Sequence, residues 1–154
     1  KRIDLAIKAC NLLRKKLIII GSGSQLKNLK QMAGETVIFL GNLTDSQIAR
    51  YYMGCQALLF PGEEDFGIVP VEAMSFGKAV IGYNKGGVSE TVLPKKTGIL
   101  FNNQTTESLI QAIKEFEKST FSEIVCKQQA QHFSKDIFKD KIKKKVLDCY
   151  NISR

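Results

Sequence analysis

A short apolar run, Ala57-Leu58-Leu59-Phe60, breaks at Pro61-Gly62 into a loop with three acids, Glu63-Glu64-Asp65, and the chain resumes as Phe66-Gly67-Ile68-Val69-Pro70-Val71-Glu72-Ala73-Met74. The first run reads as a buried strand. The last reads as a helix over 67–76, whose first turn tolerates Pro70 because early helical amides lack intrahelical partners. A strand that ends in an acidic loop and opens into a helix is a unit of an α/β sheet. Strand carboxyl ends and helix amino ends there face one crevice, where ligands bind.

Glu64 and Glu72 stand on either side of this turn, one in the loop and one in the helix. Carboxylates accept paired hydrogen bonds, which suits the neighbouring hydroxyls of a sugar or a ribose. Between them the amides of Gly67, Ile68 and Val69 are expected to point out of a helix amino terminus, a place that favours phosphate. The plain alternative makes Glu64 a solvated loop acid and Glu72 a first-turn residue favoured by the helix dipole. On spacing alone that alternative is the stronger, because a lone motif is weak.

The rest of the chain alternates in the same way. Residues 4–14 read as a helix, 17–20 as a buried strand and 37–40 as a strand. Residues 45–55 read as a helix capped by Thr44, and 79–82 and 99–101 as short strands. Helical patterns cover about 105–118 and 121–132 and precede a basic terminal helix. Such alternation predicts right-handed βαβ units in a Rossmann-like, doubly wound parallel sheet with helices on both faces.

Several segments taken together resemble the donor-binding half of retaining glycosyltransferases of the GT-B fold, family four. They are Leu59-Phe60-Pro61, Glu64 to Met74, Gly77-Lys78-Ala79-Val80-Ile81, Gly86-Gly87-Val88-Ser89-Glu90-Thr91-Val92, Gly98-Ile99-Leu100, Gly21-Ser22-Gly23 and Val37-Ile38-Phe39-Leu40-Gly41. The resemblance covers essentially the whole chain, and the ordered set is far more specific than any one motif in it. It implies that Glu72 holds ribose hydroxyls and that Glu64, the catalytic candidate, contacts the donor hexose and supports positive charge developing on its ring. It also implies that Lys1 and the amides of Gly67, Ile68 and Val69 face the diphosphate, with Phe66 among the donor-binding residues. Gly21 and Gly23 would let the backbone approach that diphosphate, and the base would lie near Gly41, between Phe39 and Leu43.

The implied reaction transfers a hexose from a nucleotide sugar to a glycan or lipid-linked acceptor. The Glu64-Asp65-Phe66-Gly67 form most resembles bacterial mannosyltransferases of envelope polysaccharide and lipopolysaccharide synthesis, which favours GDP-mannose over a UDP-hexose. No Asp-x-Asp pair is present to bridge a metal to the diphosphate, so cations and helix amides are the implied stabilisers and no metal cofactor is expected. Two glycine pairs admit a structural reading beside the functional one. Gly21-Ser22-Gly23 followed by Leu26 lacks the third glycine of a dinucleotide fingerprint, which disfavours an oxidoreductase. Gly86-Gly87 either serves positive φ alone or borders the donor sugar.

The same resemblance marks a gap. Such enzymes begin this half with a strand carrying an Arg, followed by a Lys that opens the first helix. Here Lys1-Arg2-Ile3-Asp4 matches the Lys end only. The chain therefore reads as a donor domain, 1–154, from a longer two-domain enzyme, with its first strand missing and the acceptor met mainly by an absent amino-terminal domain. The alternative is a nucleotide or nucleotide-sugar binding module without catalysis.

Composition sets the outer bounds. A chain of 154 residues suits one domain with a real core. Cys10, Cys55, Cys126 and Cys149 are scattered and His132 is the one histidine, which argues against zinc and for reduced thiols in a cytoplasmic protein. Formal net charge is +8, and residues 135–154 hold seven basic side chains against three acids, half of that excess. Ile137, Phe138, Ile142, Val146, Leu147 and Tyr150 recur there at near-helical spacing. The segment is either a solvated helix or a peripheral contact with an anionic membrane. Nucleic-acid binding is disfavoured, because no aromatic-interleaved basic platform accompanies the charge.

Overall fold

A computed structural model describes residues 1–152, so the last two residues of the expected domain lie outside the described ones. Helix α1 (Ile3–Leu13) is followed by β1 (Leu17–Ile20), α2 (Leu26–Met32), β2 (Val37–Gly41), α3 (Asp45–Gly54) and β3 (Ala57–Phe60). Then come α4 (Ile68–Ser75), β4 (Ala79–Tyr83), α5 (Val88–Thr91), β5 (Gly98–Phe101), α6 (Thr106–Glu117), α7 (Glu123–Gln131) and α8 (Lys135–Ile152). The α/β alternation is the expected one. Helix α5 was not legible, because a single turn behind Gly86-Gly87 is too short to show a period.

Local chemistry explains the helix starts. Thr44 accepts from the amide of Gln47, and the Gln47 side chain accepts from the Thr44 amide in return, a complete capping box at the head of α3. Thr105 and Ser122 cap α6 and α7 through their hydroxyls.

All strand pairs are parallel, but the expected single sheet is in two pieces. β1 pairs with β2, and β3, β4 and β5 form a second sheet in that order. No pairing joins β1 to β3 among the described residues. This accounts for one departure from the sequence reading. All four residues of β1, and Ala57, Leu58 and Leu59 of β3, are only half-buried, whereas all five of β4 are buried. β4 alone is paired on both edges, and helices cover both its faces.

The second sheet separates two apolar cores, its side chains alternating between them along β3 and, from Val80 onward, along β4. Leu59, Ile81, Tyr83, Ile99 and Phe101 face Leu5 and Ala9 of α1 and Leu109, Ala112 and Ile113 of α6. Leu58, Phe60, Val80 and Leu100 face Ala73 and Met74 of α4, Val88 beside them and Cys126 and Ala130 of α7. Residues two apart share a face, so continuous apolar runs fill both cores at once. Helix α8 joins neither core. Phe138, Ile142, Val146, Leu147 and Tyr150 are all exposed, so the amphipathic pattern of the sequence is not spent on burial within this fold. None of the described helices is long and apolar enough to cross a membrane.

Candidate functional site

The loop after β3 is held by backbone packing. A side chain on Gly62 would lie 2.8 Å from the backbone of Lys1, so glycine there lets the chain ahead of α1 cross directly over the end of β3. Gln104 ties the same corner from a third direction. Its Nε2 donates to the Pro61 carbonyl over 2.9 Å, and its Oε1 accepts from Arg2 Nη1 over 3.0 Å. Arg2, at φ 53°, also holds Asp4 in the first turn of α1 with two hydrogen bonds. That guanidinium lowers the Asp4 carboxyl below its ordinary pKa, chiefly through the hydrogen bond.

Lys1 and Glu64 consequently meet. Lys1 Nζ lies 3.3 Å from Glu64 Oε1, with the Lys1 side chain 69% exposed and that of Glu64 29%. The pair stands open to solvent and leaves capacity for a ligand, since an ammonium carries three donors and a carboxylate about four acceptor sites. Glu63 and Asp65 on either side are exposed.

Helix α4 opens directly behind this pair. Its cap is Gly67 at φ 73°, a conformation that only glycine takes freely, and no side chain caps its first amides. Ile68 is 62% exposed and Phe66 46% exposed, with the Phe66 ring edge-on to Phe133 at 6.0 Å. The amino end of α4 thus presents unclaimed backbone donors and a positive dipole end beside a cation, an arrangement that attracts an anion. Glu72 sits one turn further than the sequence suggested: it is the fifth residue of α4, exposed, and outside the first turn. Dipole stabilisation, which fades beyond the first turn, is therefore a poor reason for a glutamate there.

Packing supplies a structural reason for Gly86-Gly87 beyond positive φ. A Cβ on Gly86 would stand 2.3 Å from the Glu64 carbonyl oxygen, and one on Gly87 would stand 2.0 Å from that of Phe66. The two glycines allow the loop after β4 to press against the acidic loop, so close approach, and not positive φ alone, requires them.

Gly21, Gly23 and Gly41 form a separate set at the carboxyl ends of β1 and β2. The Gly21 amide donates to the Gly41 carbonyl over 2.7 Å, with φ at 118° and 67° respectively. Positive φ suffices to explain these two. A Cβ at any of the three would meet nothing within 4 Å, but only at Gly23 is φ not positive, so there the backbone conformation gives no reason for glycine. Open space in front of a glycine is what an approaching ligand needs. Sequence reasoning missed Tyr52, Arg2 and Gln104, which act on this region only across long separations in the chain.

A cavity of about 230 Å³ lies at the opposite pole, at the amino ends of β3 and β4, lined by Gln56, Lys78, Phe116 and Glu123 among others. Lys78 is already paired there with Glu123 at 3.3 Å. The carboxyl end of the strands is the better site, being where α/β sheets bind ligands. Cys10 and Cys126 lie buried in the interior, and burial pushes the Cys10 thiol up to about 11, so neither offers a thiolate to this chemistry. Among the described residues no three His, Cys, Asp or Glu side chains converge as metal ligands would.

Comparison with known proteins adds an independent finding. The family model for glycosyl transferases group 1 matches residues 1–136. The alpha-1,3/1,6-mannosyltransferase ALG2 of Mus musculus is 34% identical over 128 residues, covering 75% of this chain and 30% of that protein. A GDP-mannose-dependent alpha-(1-6)-phosphatidylinositol monomannoside mannosyltransferase of Mycobacterium tuberculosis is 28% identical over 112 residues, covering 64% of this chain and 29% of that protein. The chain thus spans about 30% of the length of these relatives. Among solved structures, the lipopolysaccharide outer core galactosyltransferase WaaB superposes with a TM-score of 0.84 at 18% identity, over 96% of this chain and 45% of that one. HepE of Anabaena, solved with UDP-glucose, gives 0.75 at 24% identity, also over 96% of this chain and 45% of its own. At these identities the structures establish a common fold.

Proposed function

From the premise that the chain belongs to the glycosyl transferases group 1, we propose that it forms the nucleotide-sugar binding domain of a retaining hexosyltransferase. The observation that carries this reading is the pairing of Lys1 with Glu64 at 3.3 Å beside the uncapped amino end of α4. The cation and the row of free amides match the charge on a diphosphate, the Glu64 carboxylate matches the hydroxyls of a hexose, and Glu72, further along α4, remains for those of a ribose.

In this reading Lys1 and the amides around Gly67, Ile68 and Val69 take the diphosphate, and Gly21 and Gly23 leave it room. Glu72 accepts the ribose hydroxyls, Phe66 borders the donor, and the base lies near Gly41. The bond between the anomeric carbon and phosphate oxygen breaks, and its electron pair leaves with the nucleoside diphosphate. The acceptor hydroxyl bonds to the anomeric carbon from the same face and gives its proton to the departing phosphate. Lys1 and the α4 amides stabilise the leaving charge, and Glu64 supports positive charge developing on the sugar ring. No step requires a metal ion.

GDP-mannose is the favoured donor, supported by the mannosyltransferase names of two relatives and by the Glu64-Asp65-Phe66-Gly67 loop. The acceptor is a glycan or a lipid-linked sugar of polysaccharide synthesis, met mainly by a second domain, in the cytoplasm. The lysine-rich, exposed α8 supports a peripheral contact with an anionic membrane. Equilibrium titration with GDP, UDP, GDP-mannose and NAD tests the reading. Saturable binding of GDP and GDP-mannose in preference to UDP and NAD is expected. Preference for NAD, or no binding of any nucleotide, would overturn it.

A further inference from the structure

Tyr52, on α3, reaches across to α4 and touches it at two points. Its ring stacks on Phe76 with centroids 5.3 Å apart and planes 17° from parallel, and its hydroxyl lies 3.3 Å from Glu72 Oε2. Phe76 caps the carboxyl end of α4 four residues beyond Glu72, so the two stand one above the other on the same side. One aromatic side chain can therefore span them both.

The direction of the hydrogen bond follows from the two groups. An ionised carboxylate only accepts, so the phenol donates. Burial, and then the neighbouring Glu72 charge, push the Tyr52 hydroxyl well above its ordinary pKa, so it remains a donor throughout the working range of pH. A glutamate exposed on the second turn of a helix otherwise has freely turning side-chain torsions. Phe76 fixes the ring, the ring fixes the hydroxyl, and the hydroxyl takes one oxygen of Glu72. The other oxygen keeps its acceptor capacity.

We propose that Tyr52 is a positioning residue for Glu72: its hydroxyl, anchored by the stack on Phe76, occupies Oε2 and turns Oε1 toward the ribose of the bound nucleotide. This rests on the reading of Glu72 as the ribose acceptor and adds to it the residue that orients it. Ordering the carboxylate before the ligand arrives removes part of the entropy cost of binding. The 3.3 Å length also marks a loose bond, which can shorten or slip as the ligand seats.

Tyr52→Phe keeps the ring on Phe76 and deletes only the hydroxyl. In titrations with GDP and UDP this variant should bind about three- to tenfold more weakly, the scale of one ordinary hydrogen bond. Binding of the 2′,3′-dideoxy analogues, which lack the hydroxyls assigned to Glu72, should be unchanged. In a Glu72→Ala background Tyr52→Phe should cost nothing further, because its path to the ligand is gone. If Tyr52→Phe binds GDP and UDP like the unaltered protein while Glu72→Ala binds weakly, the positioning role is wrong and the site reading stands. If Tyr52→Phe weakens ribo and dideoxy nucleotides equally, or keeps its full effect without Glu72, the hydroxyl acts by another route and the inference fails. If Glu72→Ala itself binds like the unaltered protein, the site reading fails as well.

Discussion

The amide of Gly87 donates to the carbonyl oxygen of Glu64 over 2.9 Å, so the loop after β4 holds the backbone of the acidic loop after β3. The contact is possible only because Gly86 and Gly87 have no side chains. A Cβ on Gly87 would be driven to 2.0 Å from a backbone oxygen of that same loop. Gly87→Ala must therefore move one loop or the other, an overpacking cost of about 1–3 kcal/mol. In a chain of this size that lowers the melting temperature by about 3–10 °C. Binding of a nucleotide sugar should weaken along with it. Thermal melting and titration of this variant, beside Gly54→Ala, where a Cβ meets nothing within 4 Å, separate a loop effect from a general one.

Nucleotide affinity should depend on Glu72 and not on Glu63. Glu72→Ala removes the acceptor proposed for the ribose, and a hydrogen bond to a charged group is worth about 1.5–3 kcal/mol, roughly tenfold or more in binding. Glu63 is an exposed neighbour of the site with no assigned contact, and Glu63→Ala should change little. Equal losses from the two substitutions, measured by calorimetry, would remove Glu72 from the site.

Hexosyl transfer under the proposed function should persist in excess chelator. The groups gathered at the proposed diphosphate position are Lys1 and the amides of α4, and the two nearby acids, Glu63 and Asp65, are solvated loop residues. Loss of activity in chelator, restored by manganese or magnesium, would show that an ion and not Lys1 neutralises the leaving group.

The open edges of β1 and β3 lead to a further expectation. In a doubly wound sheet one more strand belongs between them, and Lys1 enters α1 beside Gly62, just beyond the end of β3, where a parallel strand in that place would deliver the chain. Supplying a strand and its turn, about ten to fifteen residues, ahead of Lys1 should raise the melting temperature and tighten nucleotide binding. The gain in stability would come from pairing both open edges and covering half-buried residues such as Ile18, Ile19, Leu58 and Leu59. An extended chain that melts and binds like the shorter one would refute the expectation.

By itself the sequence determined the elements and the loop at which the candidate crevice lies. Apolar runs of four or five residues, the Thr44–Gln47 capping box and Gly67 ahead of Pro70 are interactions among near neighbours, and they specify strand, cap and helix wherever the segment lies. For the same reason Glu64 and the amino end of α4 could be placed together from sequence: one short loop joins them. Only the tertiary structure decided which distant residues meet at the candidate site. Lys1 reaches Glu64, Tyr52 reaches Glu72 and Gly87 reaches the Glu64 carbonyl across segments whose relative position is set by core packing on both faces of the second sheet. It also decided burial. The apolar run of β1 looks from sequence as deeply buried as that of β4, yet one is half exposed and the other fully enclosed, because burial depends on what pairs with an edge and covers a face.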